Sequence, residues 1–229
     1  LMMVSSSLNL AAYPVVVKLL EQEGREAATQ QLRQYFILLM AVVLPAVLGL
    51  LAIADLLVPL LVGADFVEPA LRLMPWVSIA IFANCTYLFY VSLSFQLAEH
   101  TMGALKVAGV AAVINVALNL LLIPAYGVWG AVVASISAYG FCLMAGLYVG
   151  RHYFVLDIPW LALSKVLLAA SFMYGVIQYV PFPVLPPVVL LILKIVAGVL
   201  VYAALVWLFN IAGARQILSA QIGLKKRHV

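Results

Sequence analysis

Two amide side chains carry the clearest chemical signal in this sequence. Asn115 and Asn119 stand four residues apart in an otherwise apolar run, so a helix places both on one face. Amides buried in lipid are costly unless they meet a partner or water. The pair therefore either lines a polar cavity and binds a polar ligand, or holds neighbouring helices together through hydrogen bonds.

A second polar face is predicted earlier in the chain. Asn84, Tyr87, Val91 and Ser94 follow the spacing i, i+3, i+7 and i+10, which is one side of a helix with three polar members. This face either lines a cavity or forms a buried contact with another helix. Both alternatives remain open from the sequence.

Asp55 is the one carboxylate that lies well inside an apolar run. An acid in such a place is a candidate proton or cation site, unless its side chain reaches the membrane interface through a break near Pro59. Lys194 lies one to two turns inside the last apolar run. It either meets a phosphate group or extends to the interface along its own aliphatic stem.

Other chemistry has little support in the sequence. The three histidines and two cysteines are far apart and lack metal-ligand spacing, so we expect no metal and no cofactor: His100, His152, His228, Cys85 and Cys142. No loop between the apolar runs exceeds about 20 residues, which leaves no room for a soluble catalytic domain. The net charge of +4 arises from cations at the ends of apolar runs, which argues against a nucleic-acid partner.

The composition identifies a membrane protein. Hydrophobic residues make up 67% of the chain and charged residues 9%, with a mean hydropathy of +1.20. Soluble domains carry about 25% charged residues. A membrane-spanning helix needs about 20 apolar residues. Seven runs meet this need: 1–17, 35–62, 72–97, 104–123, 128–149, 160–180 and 187–210.

The predicted fold class is therefore an all-α, polytopic bundle of about seven transmembrane helices. Residues 1–150 should form a five-span bundle, in which the cytoplasmic segment 18–34 between the first two spans is either an interfacial helix or a solvated linker. Residues 151–214 should add two spans, and residues 215–229 form a basic tail.

The cations predict the orientation. Of the twelve Lys and Arg residues, ten fall on one side of the membrane, Arg72 falls on the other and Lys194 lies within a span. The side rich in Lys and Arg is cytoplasmic, so the C-terminus is predicted to face the cytoplasm.

Proline and glycine follow the two amides. The helix is predicted to stop at Pro124 and to turn through Gly127, either as a fixed outer turn or as a hinge. Gly130 belongs to a series of small residues that lets another helix approach closely. Pro45 falls inside the second span, where neighbouring helices can satisfy the carbonyl that it frees.

Together these residues resemble a known family. The ordered pattern of Asn115, Leu118, Asn119, Ile123, Pro124, Tyr126, Gly127, Gly130, Ala131, Ala134 and Ser135 resembles the C-terminal half of the polysaccharide-export flippases. These O-antigen and lipid-linked oligosaccharide flippases belong to the multidrug/oligosaccharidyl-lipid/polysaccharide exporter superfamily. Tyr13-Pro14, Leu44-Pro45 and the stretch from Leu61 to Phe66 also match, so the resemblance covers about residues 10–150.

The resemblance implies a transporter without bond chemistry. It would move an undecaprenyl-linked oligosaccharide, a repeat unit of lipopolysaccharide or exopolysaccharide, from the inner to the outer leaflet of the bacterial cytoplasmic membrane. Its partners would be the lipid-linked substrate, the bilayer, a polysaccharide polymerase and glycosyltransferases. Asp55, Asn84, Tyr87, Asn115 and Asn119 would be the cavity candidates. We expect the chain to be a fragment corresponding to spans 8–14 of a 14-span member.

Two alternatives remain open. One is a multidrug exporter of the same superfamily. The other is a membrane-embedded glycan polymerase or ligase, which needs activating side chains on the outer face. The candidates there are Asp65, Glu68 and Arg72.

Overall fold

The computed structural model describes residues 2–183 and 185–213, and helices dominate this part of the chain. The α-helices are α1 Met2–Gln22, α2 Arg25–Ala52, α3 Ala54–Leu61, α4 Ala64–Thr86, α5 Leu93–Gln96, α6 Thr101–Tyr126, α7 Val128–Gly150, α8 Trp160–Tyr179 and α9 Pro187–Leu208. A π-helix, Tyr87–Val91, joins α4 to α5, and a 3-10 turn, Ile211–Gly213, follows α9.

The predicted fold class is confirmed. Among the described residues, seven helical segments are long and apolar enough to cross a membrane: α1, α2, the continuous segment Ala64–Gln96, α6, α7, α8 and α9. The division at residue 150 and the cytoplasmic C-terminus stay predictions. The basic tail, 215–229, lies outside the described residues.

The chain forms two compact units. The first contains the described residues up to Phe36 together with Val62–Ile158, and so holds α1, the start of α2, and α4 to α7. The second contains Ile37–Leu61 and the described residues from Pro159 onward, and so holds the rest of α2 with α3, α8 and α9.

The segment 18–34 is not a single separate helix, which was one of the two predicted alternatives. Its first residues complete α1, which ends at Gln22, and the rest begin α2 at Arg25. Between them Gly24 has a φ of +90°, a left-handed conformation that glycine adopts without strain. A turn therefore divides this segment, while its position at the membrane surface stays a prediction.

The third span begins earlier than predicted. α4 starts at Ala64, so Asp65, Glu68 and Arg72 lie in its first turns and not in a loop. Asp65 favours this start because an acid in the first turn complements the helix dipole. Glu68 and Arg72 form an ion pair at i, i+4 with 2.5 Å between the charged atoms, which supports the same turns.

Pro45 lies in the interior of α2, and α9 compensates for it. Proline has no N–H, so it cannot bond the carbonyl four residues earlier, which belongs to Ala41. The Tyr202 hydroxyl of α9 donates to this Ala41 oxygen at 2.8 Å. The expectation that a neighbouring helix satisfies the freed carbonyl therefore has a specific donor in the second unit.

This arrangement gives a testable double-mutant cycle. Tyr202→Phe should lower the free energy of unfolding by about 1–3 kcal/mol, because the Ala41 carbonyl loses its partner away from water. With Pro45→Ala, the new N–H of residue 45 can bond that carbonyl, so the same Tyr202→Phe change should cost less than about 0.5 kcal/mol. Unfolding of the detergent-solubilised chain in sodium dodecyl sulfate measures both values. If Tyr202→Phe lowers the free energy of unfolding equally in the wild type and in Pro45→Ala, the Tyr202 hydroxyl does not replace the hydrogen bond that Pro45 cannot form.

In the first unit, the connection that follows α7 is fastened to α2 and to the π-helix. The Tyr90 hydroxyl donates to the Asp157 backbone oxygen at 2.8 Å, and the Asp157 carboxylate lies 3.5 Å from the Arg33 guanidinium. Arg25 donates to the backbone oxygen of Tyr153. These bonds hold the connection after α7 against α2 and the π-helix.

Candidate functional site

A cavity that combines a mostly apolar lining with amide and phenol groups opens in the first unit among α4, the π-helix, α6 and α7. Its volume is about 290 Å³. Four alanines give it space, since small side chains leave room between packed helices. The lining residues are Asn84, Tyr87, Leu88, Ala108, Ala111, Ala112, Asn115, Ala138, Tyr139 and Cys142. We call this cavity the amide groove.

The amide groove lies near the middle of its helices. Asn115 is residue 15 of the 26 in α6, and Tyr139 is residue 12 of the 23 in α7. Asn84 is residue 21 of the 33 in the segment Ala64–Gln96. Helices rise about 1.5 Å per residue, so these side chains lie at mid-depth if the helices cross a bilayer. Polar groups at that depth need partners.

The turn between α6 and α7 sets the walls of the groove. α6 does not stop at Pro124 as predicted: it continues to Tyr126, since proline removes only the bond to an earlier carbonyl. The turn falls at Gly127, whose φ of +56° and ψ of −132° suit glycine. At Gly130 an added Cβ would lie 2.5 Å from the Leu122 carbonyl, so the two helix backbones touch.

The π-helix aims Tyr87 toward the groove. Its extra residue per turn is seen in the bond from the Ser92 N–H to the Tyr87 carbonyl, at 2.9 Å. The Tyr87 ring then packs on Gly146 of α7, where an added Cβ would lie 2.8 Å away. The predicted polar face is therefore interrupted. Asn84 and Tyr87 reach the groove, whereas Ser94 is buried and donates to the Val91 carbonyl.

The two amides of α6 have different roles. The Asn119 side-chain nitrogen donates to the backbone oxygen of Asn115 at 2.9 Å and to its side-chain oxygen at 3.0 Å. Asn115 lines the groove, while Asn119 does not. Asn119 therefore touches Asn115 and holds its amide in one orientation.

Several polar side chains of the groove have no hydrogen-bond partner among the described residues. They are the Asn84 side-chain amide, the Tyr139 hydroxyl and the Asn115 side-chain nitrogen. Tyr87 donates to the Ala104 carbonyl at a long 3.4 Å. These groups are accessible, since the one fully buried side-chain oxygen without a partner in the described chain is that of Ser5.

Asp55 belongs to the second unit. Its carboxylate is 3.9 Å from the Lys194 ammonium, which also lies 5.9 Å from the centre of the Phe182 ring. The Lys194 side chain is 12% exposed, whereas that of Asp55 is 59% exposed. The two charges that the sequence left as separate candidates are partners between α3 and α9.

Sequence reasoning missed Tyr139, Cys142 and the π-helix. Tyr139 was the one detectable signal, because it is a phenol at the centre of a run of small residues. Clusters of three or more His, Cys, Asp or Glu side chains that could hold a metal are absent from the described residues.

The fold and the groove are those of a multi-pass helical membrane protein with neutral polar groups between its apolar helices. Among solved structures, the chain is similar to "Lipid II flippase MurJ, inward closed conformation", with a TM-score of 0.74 and 15% identity. The match covers 95% of this chain and 45% of MurJ, so the chain spans less than half of that protein. No protein-family model matches the chain, and no curated protein matches it in sequence. The chain thus shares the helical fold of a part of that solved structure.

Proposed function

We propose that the chain is part of a flippase that moves an undecaprenyl-linked oligosaccharide from the inner to the outer leaflet of the bacterial cytoplasmic membrane. The observation that carries the proposal is that the Asn84 amide, the Asn115 side-chain nitrogen and the Tyr139 hydroxyl line the amide groove without a hydrogen-bond partner among the described residues. In hydrocarbon such groups are stable only with water or a polar ligand. The fold shared with a lipid II flippase supports a substrate with a lipid chain and a polar head.

The lining of the groove favours transport over chemistry. It offers hydrogen-bond donors and acceptors between α4, the π-helix, α6 and α7, and these can hold a polar head. In the proposed orientation the C-terminus faces the cytoplasm. The enzymes expected to act before and after transport are glycosyltransferases on the inner side and a polysaccharide polymerase on the outer side.

Complementation tests this function. The gene that encodes the chain, with any part of its reading frame that lies upstream, is placed in a bacterium whose own polysaccharide flippase is deleted. We expect surface polysaccharide, measured by antibody binding to intact cells, to be restored. Asn84→Ala and Tyr139→Phe should each slow its appearance about fivefold, because each removes a hydrogen bond worth about 1 kcal/mol.

Tyr179→Phe is the matched control for Tyr139→Phe. It removes the same hydroxyl from a side chain that is 82% exposed and outside the groove, so the rate should not change. Restored drug resistance without polysaccharide would favour the multidrug exporter. Loss of polymer with continued flipping in Glu68→Ala or Arg72→Ala would favour the polymerase. Either result would contradict the proposed function.

A further inference from the structure

The geometry points to the part of the substrate that the amide groove binds. If a diphosphate joins the sugar to the lipid, the groove binds the uncharged sugar, through its hydroxyl or acetamido groups, and not this diphosphate. This inference rests on the proposed function, because it names the part of that substrate which the groove binds. It follows from the chemistry of the lining and from the way Asn119 fixes Asn115.

The first step concerns charge. None of the ten residues that line the groove is charged. A diphosphate in a low-dielectric site needs cationic or metal partners, because an uncompensated charge there is far more costly than an uncompensated dipole. Neutral amides and phenols match neutral hydroxyl and amide groups instead. The lining therefore selects against the charged part of a lipid-linked sugar.

The second step concerns direction. The Asn115 side-chain oxygen accepts from Asn119, whereas the Asn115 side-chain nitrogen has no hydrogen-bond partner among the described residues. An amide nitrogen is a donor only. Asn115 therefore presents a donor to an oxygen of the ligand, while Asn84 and Tyr139 can each donate and accept. A sugar hydroxyl or acetamido group, which does both, satisfies this set.

The third step assigns Asn119 as a positioning residue. It lies one turn from Asn115 and both of its bonds end on Asn115. Without it, the Asn115 amide is free to rotate and to present either end. The ligand would then bind more weakly although every residue that lines the groove is intact.

Two soluble probes of equal charge test the inference: farnesyl diphosphate esterified with methyl at its terminal phosphate, which is the sugarless probe, and farnesyl-diphospho-N-acetylglucosamine. Each carries the same fluorophore. Their dissociation constants are measured on the detergent-solubilised 229-residue chain. We expect the probe with the sugar to bind about tenfold more tightly. Asn84→Ala and Asn115→Ala should each weaken the sugar probe about fivefold and leave the sugarless probe unchanged, since each loses one neutral hydrogen bond.

Asn119 is tested by non-additivity. Asn119→Ala should weaken the sugar probe about threefold, and adding it to Asn115→Ala should weaken binding no further, because a positioning residue acts through its partner. Additive losses would assign Asn119 an independent role. Tyr179→Phe is again the control, and equal thermal unfolding midpoints show that the variants fold.

Three results would overturn the inference. The groove variants could weaken the sugarless probe, which would place the diphosphate in the groove. The two probes could bind equally, or neither could bind. Failure of the flippase function is a separate outcome: sugar-selective binding that depends on Asn84, with no complementation in cells, would refute transport and leave the sugar site standing.

Discussion

Replacing Gly130 with alanine should lower the free energy of unfolding by about 3 kcal/mol or more, since overpacking of a tight contact costs about 1–3 kcal/mol and this contact involves main chain. The added Cβ would lie 2.5 Å from the Leu122 carbonyl carbon and oxygen and 2.8 Å from the Ile123 nitrogen. A flexible side chain could move away, but a helix backbone cannot move without displacing α6 from α7.

The control for Gly130→Ala lies in the same helix. At Gly140 an added Cβ meets no atom within 4 Å. Gly140→Ala should therefore be neutral or stabilising by up to about 1 kcal/mol, because alanine favours a helix over glycine. Unfolding in sodium dodecyl sulfate measures both variants. If Gly130→Ala unfolds like Gly140→Ala, the backbones of α6 and α7 are not in contact as the structure has them.

Gly130 also shows what the sequence can predict. Small residues at four-residue spacing predicted a close helix contact, and Gly127–Gly130 predicted a turn between two spans. The apolar runs predicted seven helices long enough to span a membrane, because length and hydropathy depend on local composition alone. The helix ends were harder, since a proline such as Pro124 or Pro69 continues a helix when only one bond is lost.

The site was only partly predictable, because it joins side chains from helices far apart in the sequence. Periodicity placed Asn84 with Tyr87, and spacing placed Asn115 with Asn119, but neither shows which spans are neighbours. That Tyr139 lines the groove could not be predicted, because it depends on the packing of α7 beside α6. The π-helix has no sequence signature here, and its extra residue ended the polar face that a regular helix would have continued to Ser94.

The pairing of Asp55 with Lys194 was also not predictable, because the sequence does not show which helices are neighbours. Each was a lone charge in an apolar run, and each had its own functional and structural interpretations. Their pairing at 3.9 Å came from the packing of α3 against α9. Asp55 lies six residues before the last residue of α3, and Lys194 lies seven residues after the first residue of α9, so the two charges are at similar distances from these helix ends.

Asp55→Asn should destabilise the second unit by about 2 kcal/mol, whereas Lys194→Met should change stability by less than about 0.5 kcal/mol. The asymmetry follows from exposure. Removing the acid leaves an ammonium that is 12% exposed without its partner, while removing the lysine leaves a carboxylate that is 59% exposed. The value for Asp55→Asn is below the cost of breaking a fully buried pair because Asp55 is more than half exposed.

The double variant Asp55→Asn/Lys194→Met decides between pairing and independent roles. If the loss in Asp55→Asn arises from the stranded ammonium, Lys194→Met added to it should restore stability to within about 0.5 kcal/mol of the wild type. Unfolding of the 229-residue chain in sodium dodecyl sulfate gives the three values. If Asp55→Asn alone costs nothing, the Lys194 ammonium reaches water along its own stem. If the double variant stays as unstable as Asp55→Asn, Asp55 contributes through a contact other than Lys194, and the pair does not hold α3 to α9.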